Sequence, residues 1–239
     1  MRVALGIPVL GMIHGACAYS HMGLAAEIAK EADLFIPQAL NYTPYSRGRV
    51  VIFGEAIEHD CTHVMFADAD NMIPQGAFGA LLRMMESEDR ARLVTGYYLR
   101  RKPPFTTVWT FPENTTYTRD EPEPEPCKKP PREYIADGSP VDLAGCGLGC
   151  ALIDLTWCQE HLSIPYFYMP DNGGTEDYPF CRRIRENQGR VIGHTGVVCG
   201  HMPDLLPVTP ANRDEHLALA AKHSAYPCMG VRERQLETV

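Results

Sequence analysis

The chain has 239 residues, 45% of them hydrophobic, with a formal net charge of −8 and a pI near 5.6. That length fits a single domain over residues 1–239 with a full hydrophobic core. The acidic balance excludes a broad nucleic-acid-binding surface, though not a local basic pocket for phosphates, and no apolar stretch reaches the length of a membrane span.

Arg2 to Pro8 reads as a short strand, too brief and too early interrupted by Pro8 to be a signal peptide. Leu24, Ala25, Ile28 and Ala29 recur at helical spacing within 19–31. A second strand is expected over 34–40, and a helix over 47–59 from Val50, Val51, Phe53, Ala56 and Ile57. Val64 to Ala67 is a short buried strand that runs into Asp68 and Asp70. Asn71 and Pro74 mark a turn, followed by a helix over 75–86 and a strand over 92–98. This alternation predicts an α/β domain with a largely parallel sheet.

Residues 102–140 break the pattern with Glu121-Pro122-Glu123-Pro124-Glu125-Pro126 and Lys128-Lys129-Pro130-Pro131. Prolines this dense lack sheet donors and stop helices. The segment reads as a long surface loop, either a functional lid or a solvated insertion, in which 105–111 can add an antiparallel strand. Order returns at Val141 with Gly145, Gly147 and Gly149 between apolar residues, in a spacing that is not a dinucleotide-binding fingerprint. A helical turn is expected over 156–161. A helix over 179–188 buries Phe180, Cys181 and Ile184, and a last strand spans 190–198. The remainder, 203–239, is a polar tail with one helix over 212–223. The nine cysteines form no Cys-x-x-Cys pair and read as small buried thiols in a reducing, cytoplasmic setting.

Three stretches carry chemistry. Asp68 and Asp70, two apart at the end of a strand, can face one way; two carboxylates leaving water together call for a cation, and a hard divalent ion suits oxygen ligands. The bland alternative is a turn or a helix cap. Asp171-Asn172-Gly173-Gly174-Thr175-Glu176-Asp177 precedes a helix. There Thr175 is either its cap, with the two acids complementing the dipole, or one acid is a general base beside a floor of small residues. His201, just past the last strand, is either a surface histidine or a third metal ligand.

In order and spacing these stretches resemble the GT-A glycosyltransferases that use nucleotide sugars, especially the family 2-like group. Phe66-Ala67-Asp68-Ala69-Asp70-Asn71-Met72-Ile73-Pro74 looks like the family's DxD strand, and Tyr45-Ser46-Arg47-Gly48-Arg49 like its Arg-rich helix start. Val94-Thr95-Gly96-Tyr97-Tyr98 resembles the next strand of the family. Val141-Asp142-Leu143-Ala144-Gly145-Cys146-Gly147 is similar to the glycine-bearing acceptor-side strand, Gly174-Thr175-Glu176-Asp177-Tyr178-Pro179-Phe180-Cys181 to the G-E-D-x-x-F-C segment, and Cys199-Gly200-His201 to the terminal histidine. Thr175 departs from the family, which has Gly directly before Glu.

The resemblance implies a GT-A (Rossmann-like) mixed, mainly parallel sheet flanked by helices, with 102–140 as a Pro-rich insertion. It implies transfer of a sugar, with inversion, from a UDP- or GDP-sugar to an acceptor hydroxyl. Mn²⁺ or Mg²⁺ would be held by Asp68, Asp70 and His201. Pro8, Asp33, Arg47, Arg49, Asp68, Gly145 and Gly147 would contact the nucleotide sugar. Glu176 would orient hydroxyls, and Asp177 would take the acceptor proton. The alternatives are a metal-dependent nucleotidyltransferase, disfavoured because 9–15 lacks Arg and Lys, and an inactive sugar-nucleotide-binding protein.

Overall fold

The computed structural model describes residues 1–9, 13–37, 45–100, 105, 107–111, 137–170, 175–202, 209, 213, 214 and 217. In chain order they form β1 (Arg2–Gly6), α1 (Gly15–Glu31), β2 (Asp33–Phe35), α2 (Tyr45–Glu58), β3 (His63–Ala67) and β4 (Asn71–Met72). Next come α3 (Ala77–Ser87), β5 (Ala91–Tyr97), β6 (Pro140–Leu143), β7 (Cys150–Asp154), α4 (Leu155–His161), α5 (Asp177–Glu186), β8 (Arg190–Val198) and β9 (Gly200–His201). Of the tail helix expected over 212–223 only Arg213, Asp214 and Leu217 are described, and they are helical; most of 102–140 lies outside the described residues, as do Cys127 and Cys228.

Seven strands make one sheet in the order β2-β1-β3-β7-β5-β8-β6. β2, β1 and β3 are mutually parallel, as are β5 and β8; β7 is antiparallel to both β3 and β5, and β6 to β8. The expected α/β sheet is therefore mixed, with five strands pointing one way and two the other. Helices flank it, and a small ribbon pairs β4 with β9, Asn71 opposite His201. Residues 105–111 contribute only isolated bridges, Leu99 to Thr107 and Thr110 to Gly145.

Local chemistry explains where elements begin. α1 starts four residues before the expected helix, because the His14 ring accepts a hydrogen bond from Ala16 N at 3.2 Å and caps it. Asp154 caps α4 by accepting from Trp157 N at 2.9 Å. Thr175 does not cap α5: the residue at the cap is Glu176, in helical conformation and with no capping side-chain bond. Asn71 and Met72 are strand rather than turn, because their backbone pairs with β9.

Alternation along β3 sets which side chains share a face. Val64 and Phe66 point to the same side of the sheet. On that side Phe66 meets Phe53 of α2 at 5.8 Å and Phe167 at 6.1 Å, and Phe53 meets Phe180 of α5 at 5.8 Å. This aromatic cluster seats α2 and α5 side by side over the end of β3. Among the described residues no helix is long and apolar enough to cross a membrane, and the seven described cysteines are buried free thiols.

Candidate active site

Asp68 comes two residues after Phe66, so it emerges on the face that α2 and α5 cover. Arg49 arrives there from α2. It lies on the helix stripe of Ile52, Phe53 and Ala56, all buried, while Arg47 and Val50 face outward. Its guanidinium rests 4.7 Å above the Phe66 ring and is 2% exposed. Arg49 Nη2 donates to Asp68 Oδ1 at 3.0 Å and Oδ2 at 3.3 Å, and Nε donates to Glu176 Oε1 at 3.0 Å. Asp177 Oδ1 lies 3.5 Å from Nε. One guanidinium thus faces three carboxylates drawn from the end of β3 and the start of α5.

The charges perturb one another. Burial opposes the charge on Arg49, but Asp68, Asp177 and Glu176 outweigh it and raise its pKa above the ordinary value. Burial pushes the Asp177 carboxyl up to about 8; Arg49 pulls against this, and Glu176 and Asp68 add like charge. Burial likewise raises Asp68, with Arg49 opposing and Asp70 reinforcing.

Asp70 sits beyond the sheet edge, with its Oδ2 3.3 Å from His201 Nε2. His201 Nδ1 is 2.7 Å from the Leu99 carbonyl. A carbonyl only accepts, so in the neutral ring Nδ1 carries the proton and the Nε2 lone pair faces a carboxylate. Among the described residues no three His, Cys, Asp or Glu side chains gather closely enough to hold an ion. Asp68, expected as a ligand with Asp70 and His201, is turned toward Arg49 instead. Asp171 to Gly174 lie outside the described residues.

Several expected contacts fall elsewhere. Pro8 is buried just past the end of β1. Asp33 starts β2 opposite Arg2, whereas Gly6 is opposite Phe66. Four residues of strand, about 13 Å, separate the two ends, so Asp33 lies at the wrong edge to join Asp68. Gly145 and Gly147 pack against tyrosines. A Cβ on Gly145 would stand 2.8 Å from the Tyr178 ring, and one on Gly147 2.5 Å from the Tyr98 hydroxyl, so the protein's own phenols use that space. Arg49 engages the three acids through Nε and Nη2, and its Nη1 has no hydrogen-bond partner.

Tyr98 and Asn71 were not singled out by their sequence. The Tyr98 hydroxyl accepts from Gly149 N at 2.7 Å, and burial holds its pKa well above the ordinary value. Asn71 is fully buried, and its carbonyl accepts from His21 Nε2 at 2.9 Å. Among the described residues seven buried side-chain polar atoms lack a hydrogen bond. Five of them, His21 Nδ1, Arg49 Nη1, Asn71 Nδ2, Asn71 Oδ1 and Asp177 Oδ1, cluster here. Buried polar groups normally find partners, so this concentration singles out the region as the candidate site. Beside the Arg-rich helix start, a signal for the acid partners of Arg49 is its position on the apolar stripe of α2, since a buried guanidinium demands acids.

The mixed sheet, with its acids at the C-terminal edge of β3 and the start of α5, is the GT-A (Rossmann-like) α/β fold. Among solved structures, A197 from STIV superposes with a TM-score of 0.59 at 17% identity, over 88% of this chain and 91% of that one. A crystal structure of GalNAc-T7 with UDP, GalNAc and Mn²⁺ aligns with a TM-score of 0.49 at 10% identity, over 84% of this chain. The alignment takes in 43% of the GalNAc-T7 chain. No protein-family model and no curated protein matches the chain.

Proposed function

We propose that the protein is a metal-dependent glycosyltransferase, moving a sugar from a UDP- or GDP-sugar to an acceptor hydroxyl with inversion. The observation that carries this is the pairing of two half-sites at one sheet edge of a GT-A fold: Asp70 facing His201 on one side, and Asp177 at the head of α5 on the other. Open α/β sheets take ligands at that edge.

The residues fit a divalent ion. Asp70 Oδ2 and His201 Nε2 lie 3.3 Å apart, a spacing at which one divalent ion can be held by both, and the Leu99 carbonyl orients the ring. Asp70 and His201 would hold Mn²⁺ or Mg²⁺, which when bound supplies the charge that offsets the leaving diphosphate. Asp177 accepts the proton of the acceptor hydroxyl as its oxygen attacks the anomeric carbon; the bond from that carbon to the diphosphate breaks, and the nucleoside diphosphate leaves. A base whose pKa is lifted toward the working pH binds that proton more firmly than an ordinary carboxylate does. Glu176, held by Arg49, orients hydroxyls. Pro8, at the end of β1, lines the nucleotide side, with Arg47 at the head of α2. The 102–140 loop and the 203–239 tail, as parts of one domain, shape the acceptor side.

The test is release of UDP or GDP from a set of nucleotide sugars with Mn²⁺ and then with EDTA. Asp70→Asn should abolish release. Asp177→Asn should lower transfer about 100-fold or more while leaving donor binding, read by thermal shift, in place. Failure of every nucleotide sugar both to stabilise the protein and to be cleaved would sink the proposal.

A further inference from the structure

Asp68 and Asp70 stand two residues apart, yet they are committed to different partners. Asp70 faces His201. Both Asp68 oxygens lie on the same Arg49 nitrogen, at 3.0 and 3.3 Å. Through Nε the guanidinium binds Glu176 at 3.0 Å and meets Asp177 at 3.5 Å. One flat face rests on Phe66. Three acids that would repel one another are set around one rigid fork; Arg49 and Glu176 are 2% and 5% exposed, whereas Asp68 keeps 23%.

We propose that Arg49 is the positioning residue of this site: it sets the spacing between Asp68 and the Glu176–Asp177 pair, and it withholds Asp68 from an ion bound by Asp70 and His201. The inference rests on the reading that those two residues hold a divalent ion. A planar guanidinium suits this role because Nε and Nη2 donate along fixed directions at once. A lysine ammonium is a single point charge and cannot hold both contacts in that fixed geometry. The aromatic seat adds a cation–π contact that fixes the plane of the fork. Residues behind the direct ligands commonly alter metal affinity by about 10- to 100-fold. Here the effect is restraint, because the Asp68 carboxylate, two residues from Asp70, is kept occupied.

The experiment uses Mn²⁺ alone as the probe on the full chain, with free Mn²⁺ monitored by electron paramagnetic resonance. In Arg49→Gln, Asp68 is released beside Asp70, and Mn²⁺ binding tightens about tenfold. In the double variant Arg49→Gln/Asp68→Asn, affinity returns to the wild-type value. Arg49→Lys keeps a positive charge for the fold but loses the fork, and it shows the same tightening at smaller size. A purely structural arginine would lower stability without strengthening metal binding. Unchanged or weaker Mn²⁺ binding in folded Arg49→Gln, or in Arg49→Lys if the first variant does not fold, overturns the inference alone. So does tightening that Asp68→Asn fails to reverse. Absence of Mn²⁺ binding in the wild-type chain overturns the metal reading itself, and this inference with it.

Discussion

Replacing Asp177 by Asn removes the group that the site perturbs most usefully. In the folded chain burial carries its pKa from 3.8 to about 8. A folded-state pKa above the unfolded one means that the native state binds the proton more tightly. Stability is therefore greatest below the unfolded value and falls as pH rises through the folded one. The gap of about four pH units, at about 1.36 kcal/mol each, sets a ceiling of roughly 6 kcal/mol. Relaxation and water entry reduce such penalties in real proteins, so a measured difference of about 2 kcal/mol is the reasonable expectation. Asn is close in shape and stays neutral, so it escapes this loss. Urea unfolding of both proteins from about pH 3 to about pH 9 gives the test. The two should be nearly equal near pH 3, below both pKa values, with Asp177→Asn the more stable by about 2 kcal/mol at pH 9. A constant difference across that range would show that Asp177 is an ordinary ionised carboxylate, and the argument from its burial would fail.

Other substitutions probe the packing around the site. A Cβ on Gly149 would lie 1.9 Å from Asn71 Nδ2 and 2.8 Å from the Tyr98 hydroxyl, so Gly149→Ala should cost about 1–3 kcal/mol in urea unfolding. Gly54 lies inside α2 with nothing within 4 Å of a Cβ, so Gly54→Ala should raise stability by about 1 kcal/mol in the same assay. Tyr98→Phe removes the acceptor for Gly149 N and leaves that buried N–H unpaired. A loss of about 1–3 kcal/mol is expected in thermal unfolding, and no loss would mean that water or another acceptor replaces the phenol.

Much of the fold was legible in the sequence because it depends on periodicities. The helical spacing of Leu24 and Ile28, the strand over 190–198 and the apolar run of Val64 to Ala67 all placed elements within a few residues of where they form. The antiparallel insertion of β7 was not legible, since strand direction depends on partners distant in the chain. The early start of α1 was missed because His14 is an uncommon cap.

The site divides in the same way. The sequence by itself placed Asp68 and Asp70 at a strand end, Glu176 and Asp177 at a helix start and His201 after the last strand, because each is a matter of local spacing. It could not assign their partners. Only the tertiary structure set Arg49 among Asp68, Glu176 and Asp177, turned Asp70 toward His201, packed Tyr178 and Tyr98 on Gly145 and Gly147 and left Asp33 at the opposite edge. The physical reason is that a charge pairs with what lies within a few ångströms. Between α2, β3 and α5 those distances come from the aromatic packing of Phe53, Phe66 and Phe180, contacts between residues far apart in the chain.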